Sequence, residues 1–217
     1  MKKRFLIPLV FGAALSLLIV SGLSCISCVF YPDSSTAHGL PTMGSEFESY
    51  ITPDCPSVKE ALQDILGDPP YELSQAGFDD IRDWVASNID YMSDEERWGE
   101  DYWQTPEETL SSRTGDCEDF STLLCSFLRT YGIDAERVYV ALGIDGGEDG
   151  HAFLIEDWNH DGDWQKIESQ SPAQFSSWHS WFGLLDPHPD SRLDEYEITE
   201  AFNDLYYYDE SFPWDTA

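Results

Sequence analysis

Between Phe120 and Leu142 the hydrophobic period of this chain changes from that of a helix to that of a strand, and Gly132 stands at the change. Phe120, Leu123, Leu124, Phe127, Leu128 and Tyr131 form the single stripe of an amphipathic helix. Gly132 follows where a left-handed residue ends such a helix. Arg137-Val138-Tyr139-Val140-Ala141-Leu142 then reads as a strand. His151 to Glu156 reads as a second, after the Asp145-Gly146-Gly147 turn, and Trp164 to Glu168 as a third, after Asn159-His160-Asp161-Gly162. Upstream, Phe78, Ile81, Trp84, Val85 and Ile89 predict a helix over 78–89, and Val58 to Leu66 a shorter one. Thr105-Pro106-Glu107-Glu108 carries the start signals of another: Thr as N-cap, Pro at the first position, Glu closing a capping box. Helices followed by antiparallel strands predict an α+β domain with the helix of 120–131 packed on the sheet.

The residues that open that helix carry the chemistry. Thr114-Gly115-Asp116-Cys117-Glu118-Asp119 places a cysteine at a helix N-terminus after a glycine turn. A thiol attacks a carbonyl only as thiolate, and a helix N-terminus and a nearby imidazolium both favour that form. His151, at the start of the second strand, is the candidate base and acid. Glu168, one hairpin further on, is the candidate group to orient the imidazole, with Asp157 and Asp161 as runners-up. Cys125 reads as a small core residue, because eight residues of helix put it about 12 Å from Cys117, too far to bridge.

Composition sets limits on partners and location. Eleven Lys and Arg stand against 42 Asp and Glu in 217 residues, a net charge of −31. That balance excludes nucleic acid, whose phosphates need Lys and Arg. Met1-Lys2-Lys3-Arg4 followed by the uncharged apolar run Phe5 to Ser24 is a signal peptide or membrane anchor. Cys25 and Cys28 are candidate lipidation sites, although neither has leucine three residues upstream. Both readings put the remainder outside the cytoplasm and on a membrane. The expected organisation is a targeting segment over 1–28, a Ser/Pro/Thr/Gly-rich linker over 29–57 and one domain over 58–217. The aromatic, acidic stretch 171–217, with Trp178, Trp181, Phe182 and Tyr206-Tyr207-Tyr208, is expected to cover the sheet or rim a cleft.

Trp103-Gln104-Thr105-Pro106, Gly115-Asp116-Cys117-Glu118-Asp119, the helix end Gly132-Ile133 and the strand His151-Ala152-Phe153 together resemble the transglutaminase-like cysteine peptidase superfamily over roughly residues 78–170. The chain is similar to its bacterial cysteine proteinases, which include calcium-dependent periplasmic proteases that clip surface adhesins. The resemblance implies a papain-like/transglutaminase-like core, a protein or peptide substrate and a Cys-His-Asp triad in which Cys117 and His151 fill the first two places. Glu168 would be the third, where the family usually has Asp. The resemblance also implies an oxyanion donor upstream, here Gln104.

The acidic neighbours of the thiol set a physical problem. Asp116, Glu118 and Asp119 disfavour a thiolate. A cation would remove the conflict, and calcium takes carboxylate oxygens, so Asp116 and Glu118 are the candidate ligands. A competing calcium motif is Asp157-x-Asn159-x-Asp161-Gly162-x5-Glu168, which fits an EF-hand loop formula but lacks its helices and also reads as a turn. The expected function is a cysteine-dependent protease or amidase without an organic cofactor. The alternatives are a protein-crosslinking transglutaminase or a calcium-stabilised binding module on the same fold.

Overall fold

The computed structural model describes residues 44–145, 150–162, 164–170 and 196–209. The helices are α1 (Gly44–Phe47), α2 (Pro56–Leu66), α3 (Gln75–Asn88), α4 (Asp94–Arg97), α5 (Pro106–Ser112) and α6 (Cys117–Tyr131). The strands are β1 (Asp90–Tyr91), β2 (Thr114–Gly115), β3 (Val138–Asp145), β4 (Gly150–Glu156), β5 (Gln165–Ile167), β6 (Tyr196–Phe202) and β7 (Tyr207–Asp209). β3 to β7 form an antiparallel sheet in the order β5-β4-β3-β6-β7. Helices gathered on such a sheet make the fold α+β. Among the described residues no helix is long and apolar enough to cross a membrane.

The local signals act as expected. Thr105 and Glu108 close the full capping box of α5, and Gly132 ends α6 in the left-handed conformation. α6 is the central element, and its apolar side chains are buried between α2 and α3 on one side and the sheet on the other. The sheet alternates as a pleated strand must. Val138, Val140, Leu154, Ile167 and Phe202 join the core around α6, whereas Tyr139, Ala141, Phe153, Ile155 and Ala201 form a second cluster on the other face.

Two expectations need correction. Residues 44–57 are not a linker. Phe47, in α1, packs its ring on Trp103, Phe202 and Tyr207, and Thr130 Oγ1 donates to the Pro53 carbonyl. Cys55 is buried at the N-cap of α2, with its sulfur 3.1 Å from Ser57 Oγ. Alternation was not visible there because the segment packs through isolated side chains. The tail is not only a cover, since Tyr196–Phe202 and Tyr207–Asp209 are strands of the sheet itself. The Trp178, Trp181 and Phe182 expectation lies outside the described residues.

Replacing Phe47 by Ala removes an aromatic plug from the junction of α1, Trp103 and the last two strands. Urea unfolding should show a loss of about 3–5 kcal/mol, the range for a buried Phe to Ala change. A loss under ~1 kcal/mol would mean that α1 is an appendage, as a linker reading requires.

Candidate active site

Cys117 is the first residue of α6, and the chain reaches it through a tight corner. Asp90 and Tyr91 pair in parallel with Thr114 and Gly115. A Cβ on Gly115 would lie 2.6 Å from the Asp119 Cβ, so this corner needs glycine for close approach rather than for an unusual φ. The β1–β2 ladder brings Asp94 beside the start of α6, where its backbone N–H donates to Asp116 Oδ2 at 3.2 Å.

Cys117 and His151 both line an open cleft of about 430 Å³, whose walls include Trp103, Ala152, Leu142, Glu200 and Tyr207. The backbone of Ala152, the residue after His151, favours the ionised form of the Cys117 thiol against its burial. His151 Nε2 lies 2.9 Å from Glu168 Oε2. With Nε2–H donated to this carboxylate, Nδ1 carries the lone pair. Burial pushes the Glu168 carboxyl up, but the hydrogen bond from His151, the His151 charge and Lys166 together bring it below the ordinary carboxylate value. The next residue ties the strand to the helix. Ser169 Oγ lies 2.9 Å from Ser121 Oγ, and Ser121 Oγ donates to the Cys117 carbonyl at 2.7 Å. Consecutive side chains thus reach the His151 imidazole and the turn that carries Cys117.

The acidic neighbours are buried together. One carboxylate oxygen from each of Asp94, Asp116, Glu118 and Asp119 lies within 4.8 Å of the others. Asp116 is the N-cap of α6, yet its side chain does not cap the helix. Asp116 Oδ1 and Glu118 Oε1 are buried without a hydrogen-bond partner. Glu118 Oε2 accepts from the Cys117 thiol at 3.3 Å. Burial, and then the Asp116 carboxyl beside it, raise Glu118 well above the carboxylate range. Burial brings Asp119 up to about 7 against two hydrogen bonds from Gln104, and Asp94 up to about 6 against the Tyr102 N–H. Burial, and then Glu118, push the Cys117 thiol up. Oxygen-only donors, two of them unpartnered and all close together, fit a hard cation such as calcium.

The other sequence candidates lie elsewhere. Gln104 is buried, with its amide nitrogen donating to Thr114 O at 2.9 Å and to Asp119 Oδ2. Both amide hydrogens are engaged, so Gln104 offers none to an oxyanion and instead fixes Asp119, whose Oδ1 also accepts from the Gln104 N–H at 2.8 Å. Asp157 accepts from the N–H groups of Asp161 and Gly162, which closes a turn over 157–162, and Glu168, the last position of the loop formula, faces His151. Sequence reasoning missed Asp94, because Ser93-Asp94-Glu95-Glu96 reads as a solvated helix start and the β1–β2 pairing that buries Asp94 spans 24 residues of chain.

The profile of the transglutaminase-like superfamily matches residues 61–169. The chain belongs to that superfamily. Among solved structures it is similar to LapG of Legionella pneumophila, with 14% identity and a TM-score of 0.51 over 78% of this chain and 89% of that one. It is likewise similar to the calcium-bound form of LapG, at 14% identity and TM-score 0.51 over 76% of this chain and 86% of that one. The EGTA-treated form gives a TM-score of 0.52 at 14% identity, covering 79% and 88%. At such identity the likeness shows the transglutaminase-like fold alone. No curated protein sequence matches the chain.

The raised carboxyls fix a pH dependence. In the unfolded chain Asp and Glu titrate at their ordinary values of 3.8 and 4.5. Their contribution to stability is present below those values and lost as pH rises through about 6 for Asp94 and about 7 for Asp119. In EGTA, Tm by calorimetry should therefore fall between pH 5 and pH 8. Calcium binds the ionised form, so it should raise Tm most at pH 8, and Asp116→Asn should remove that increment. A Tm unmoved by calcium at pH 8 would show that these carboxylates hold no cation.

Proposed function

We propose that this protein is an extracytoplasmic, calcium-dependent cysteine hydrolase of peptide or amide bonds, tethered to a membrane by its N-terminal segment. The observation that carries the reading is the 2.9 Å contact of His151 Nε2 with Glu168 Oε2 in the cleft that Cys117 lines. His151 Nδ1 takes the thiol proton, and Cys117 Sγ attacks the substrate carbonyl carbon. The oxyanion that forms meets backbone N–H groups of the first turn of α6, which have no acceptor within the helix. Collapse breaks the C–N bond, leaves a thioester on Cys117 and returns the proton from His151 to the departing amine. His151 then deprotonates water, which releases the acid and restores the thiol. Glu168 holds the imidazole in the required tautomer and stabilises its charged form.

Asp116 and Glu118, with Asp94 and Asp119 beside them, are the residues that would hold calcium. The ion supplies positive charge next to the thiol, where these carboxylates otherwise oppose ionisation. The existence of calcium-bound and EGTA-treated LapG structures supports this reading. The apolar run Phe5 to Ser24 behind Lys2, Lys3 and Arg4 supports the membrane tether.

The test is digestion of a denatured protein extract by the full chain in calcium, with a fluorescent primary amine present and new N-termini read by mass spectrometry. Calcium-dependent new N-termini, lost in Cys117→Ala and His151→Ala, are expected. Amine incorporation without new N-termini would assign a transglutaminase instead. Neither product would leave a binding module. Glu168→Gln keeps an acceptor for Nε2 but removes the charge, and should slow cleavage on the order of a hundredfold with the fold intact by circular dichroism. An unchanged rate would remove Glu168 from the triad.

A further inference from the structure

Glu168 is held from two sides. Its Oε2 faces His151 Nε2 at 2.9 Å and Lys166 Nζ at 3.4 Å, while its Oε1 is buried without a hydrogen-bond partner. Lys166 is itself confined. Its side chain is only 12% exposed, and Nζ lies 4.4 Å from the Tyr196 ring centroid and 5.0 Å from that of Phe153. Those two rings pack on each other at 5.0 Å and stand 5.9 and 5.8 Å from the His151 ring. Strand geometry explains the meeting. Lys166 pairs with Ile155 in the β4–β5 ladder, so Lys166 and Glu168 project on the same face as Phe153 and His151. The imidazole and the ammonium therefore share one aromatic wall, with the carboxylate between them.

A lysine almost covered by apolar rings is an uncommon placement, since Lys is mostly exposed unless paired. Here the ring faces and the carboxylate together replace its water. Glutamate has three side-chain torsions, and a single hydrogen bond to His151 leaves the rest of the chain free to turn. A second charge-assisted contact on the same oxygen removes that freedom.

Taking the hydrolase reading as its basis, we propose that Lys166 is a positioning residue, whose ammonium, pinned over Tyr196 and Phe153, fixes the Glu168 carboxylate against His151. Lys166 touches neither thiol nor substrate and acts only through Glu168. Consistent with this, Lys166 is among the groups that lower the Glu168 carboxyl, after burial, which raises it, and His151.

The test is the rate at which iodoacetamide alkylates Cys117 in the calcium-loaded full chain, mapped by mass spectrometry, in a double-mutant cycle. Lys166→Met keeps the apolar stem over the rings and should slow alkylation roughly tenfold, the effect of losing one charged hydrogen bond. Lys166→Arg, which keeps the charge, should restore most of the rate. In a Glu168→Gln background, Lys166→Met should change nothing further. The thermal midpoint of each variant reports folding separately. Equal slowing by Lys166→Met with and without Glu168 would overturn the proposal, because the effect would then be general packing. So would an unchanged rate in Lys166→Met when Glu168→Gln is slow. If neither His151→Ala nor Glu168→Gln slows alkylation, the hydrolase reading falls, and Lys166 falls with it.

Discussion

Four carboxylates packed around one helix N-terminus dominate this molecule. Two unit charges at the 4.8 Å limit of the cluster repel by about 3 kcal/mol at an effective dielectric of about 20. The chain nevertheless builds the cluster deliberately. The β1–β2 pairing carries Asp94 in, Gly115 makes room for Asp119, and Gln104 clamps Asp119 through its backbone and its side chain. Asp116 is withheld from the capping role that its position invites. An arrangement so costly when ionised is intelligible as a cation site, and the thiol next to it inherits the sign of whatever fills it.

The other half of the site depends on strand alternation. At the end of β5, Glu168 projects to the face that carries His151 and Phe153, and Ser169 projects to Ser121 on α6. The Cys117 helix and the strand that leads to Glu168 are therefore linked by a buried hydroxyl pair, and a register slip of one residue would exchange the two faces. Lys166, two residues before Glu168, lands on the imidazole side by the same rule.

What was legible in the sequence follows from the range of each interaction. The capping box at Thr105 and Glu108, the stripe of α6, its stop at Gly132 and the first three strands of the sheet are local or periodic signals, and each appears where its residues place it. Glu168 was reachable because it lies one hairpin from His151. Asp94 was not, because only a long-range two-residue ladder buries it. Gln104 was misread for a related reason: its partner Asp119 stands in the same motif, and nothing in the spacing shows that the two side chains face each other rather than the cleft. The last two strands were hidden by a composition rich in Tyr, Glu and Asp, which reads as surface, although β6 pairs on both sides and only β7 is an edge.

On the proposed reading, positive charge at the Asp116–Glu118 cluster makes Cys117 a nucleophile. The most direct test is the pH dependence of iodoacetamide alkylation of Cys117, mapped against buried Cys55 and Cys125 in the same chain, in calcium and in EGTA. Fast modification of Cys117 below pH 7 in calcium is expected, with a drop of about tenfold or more in EGTA, one pKa unit being one decade of thiolate. Equal rates in the two buffers, no faster than those of Cys55, would contradict it.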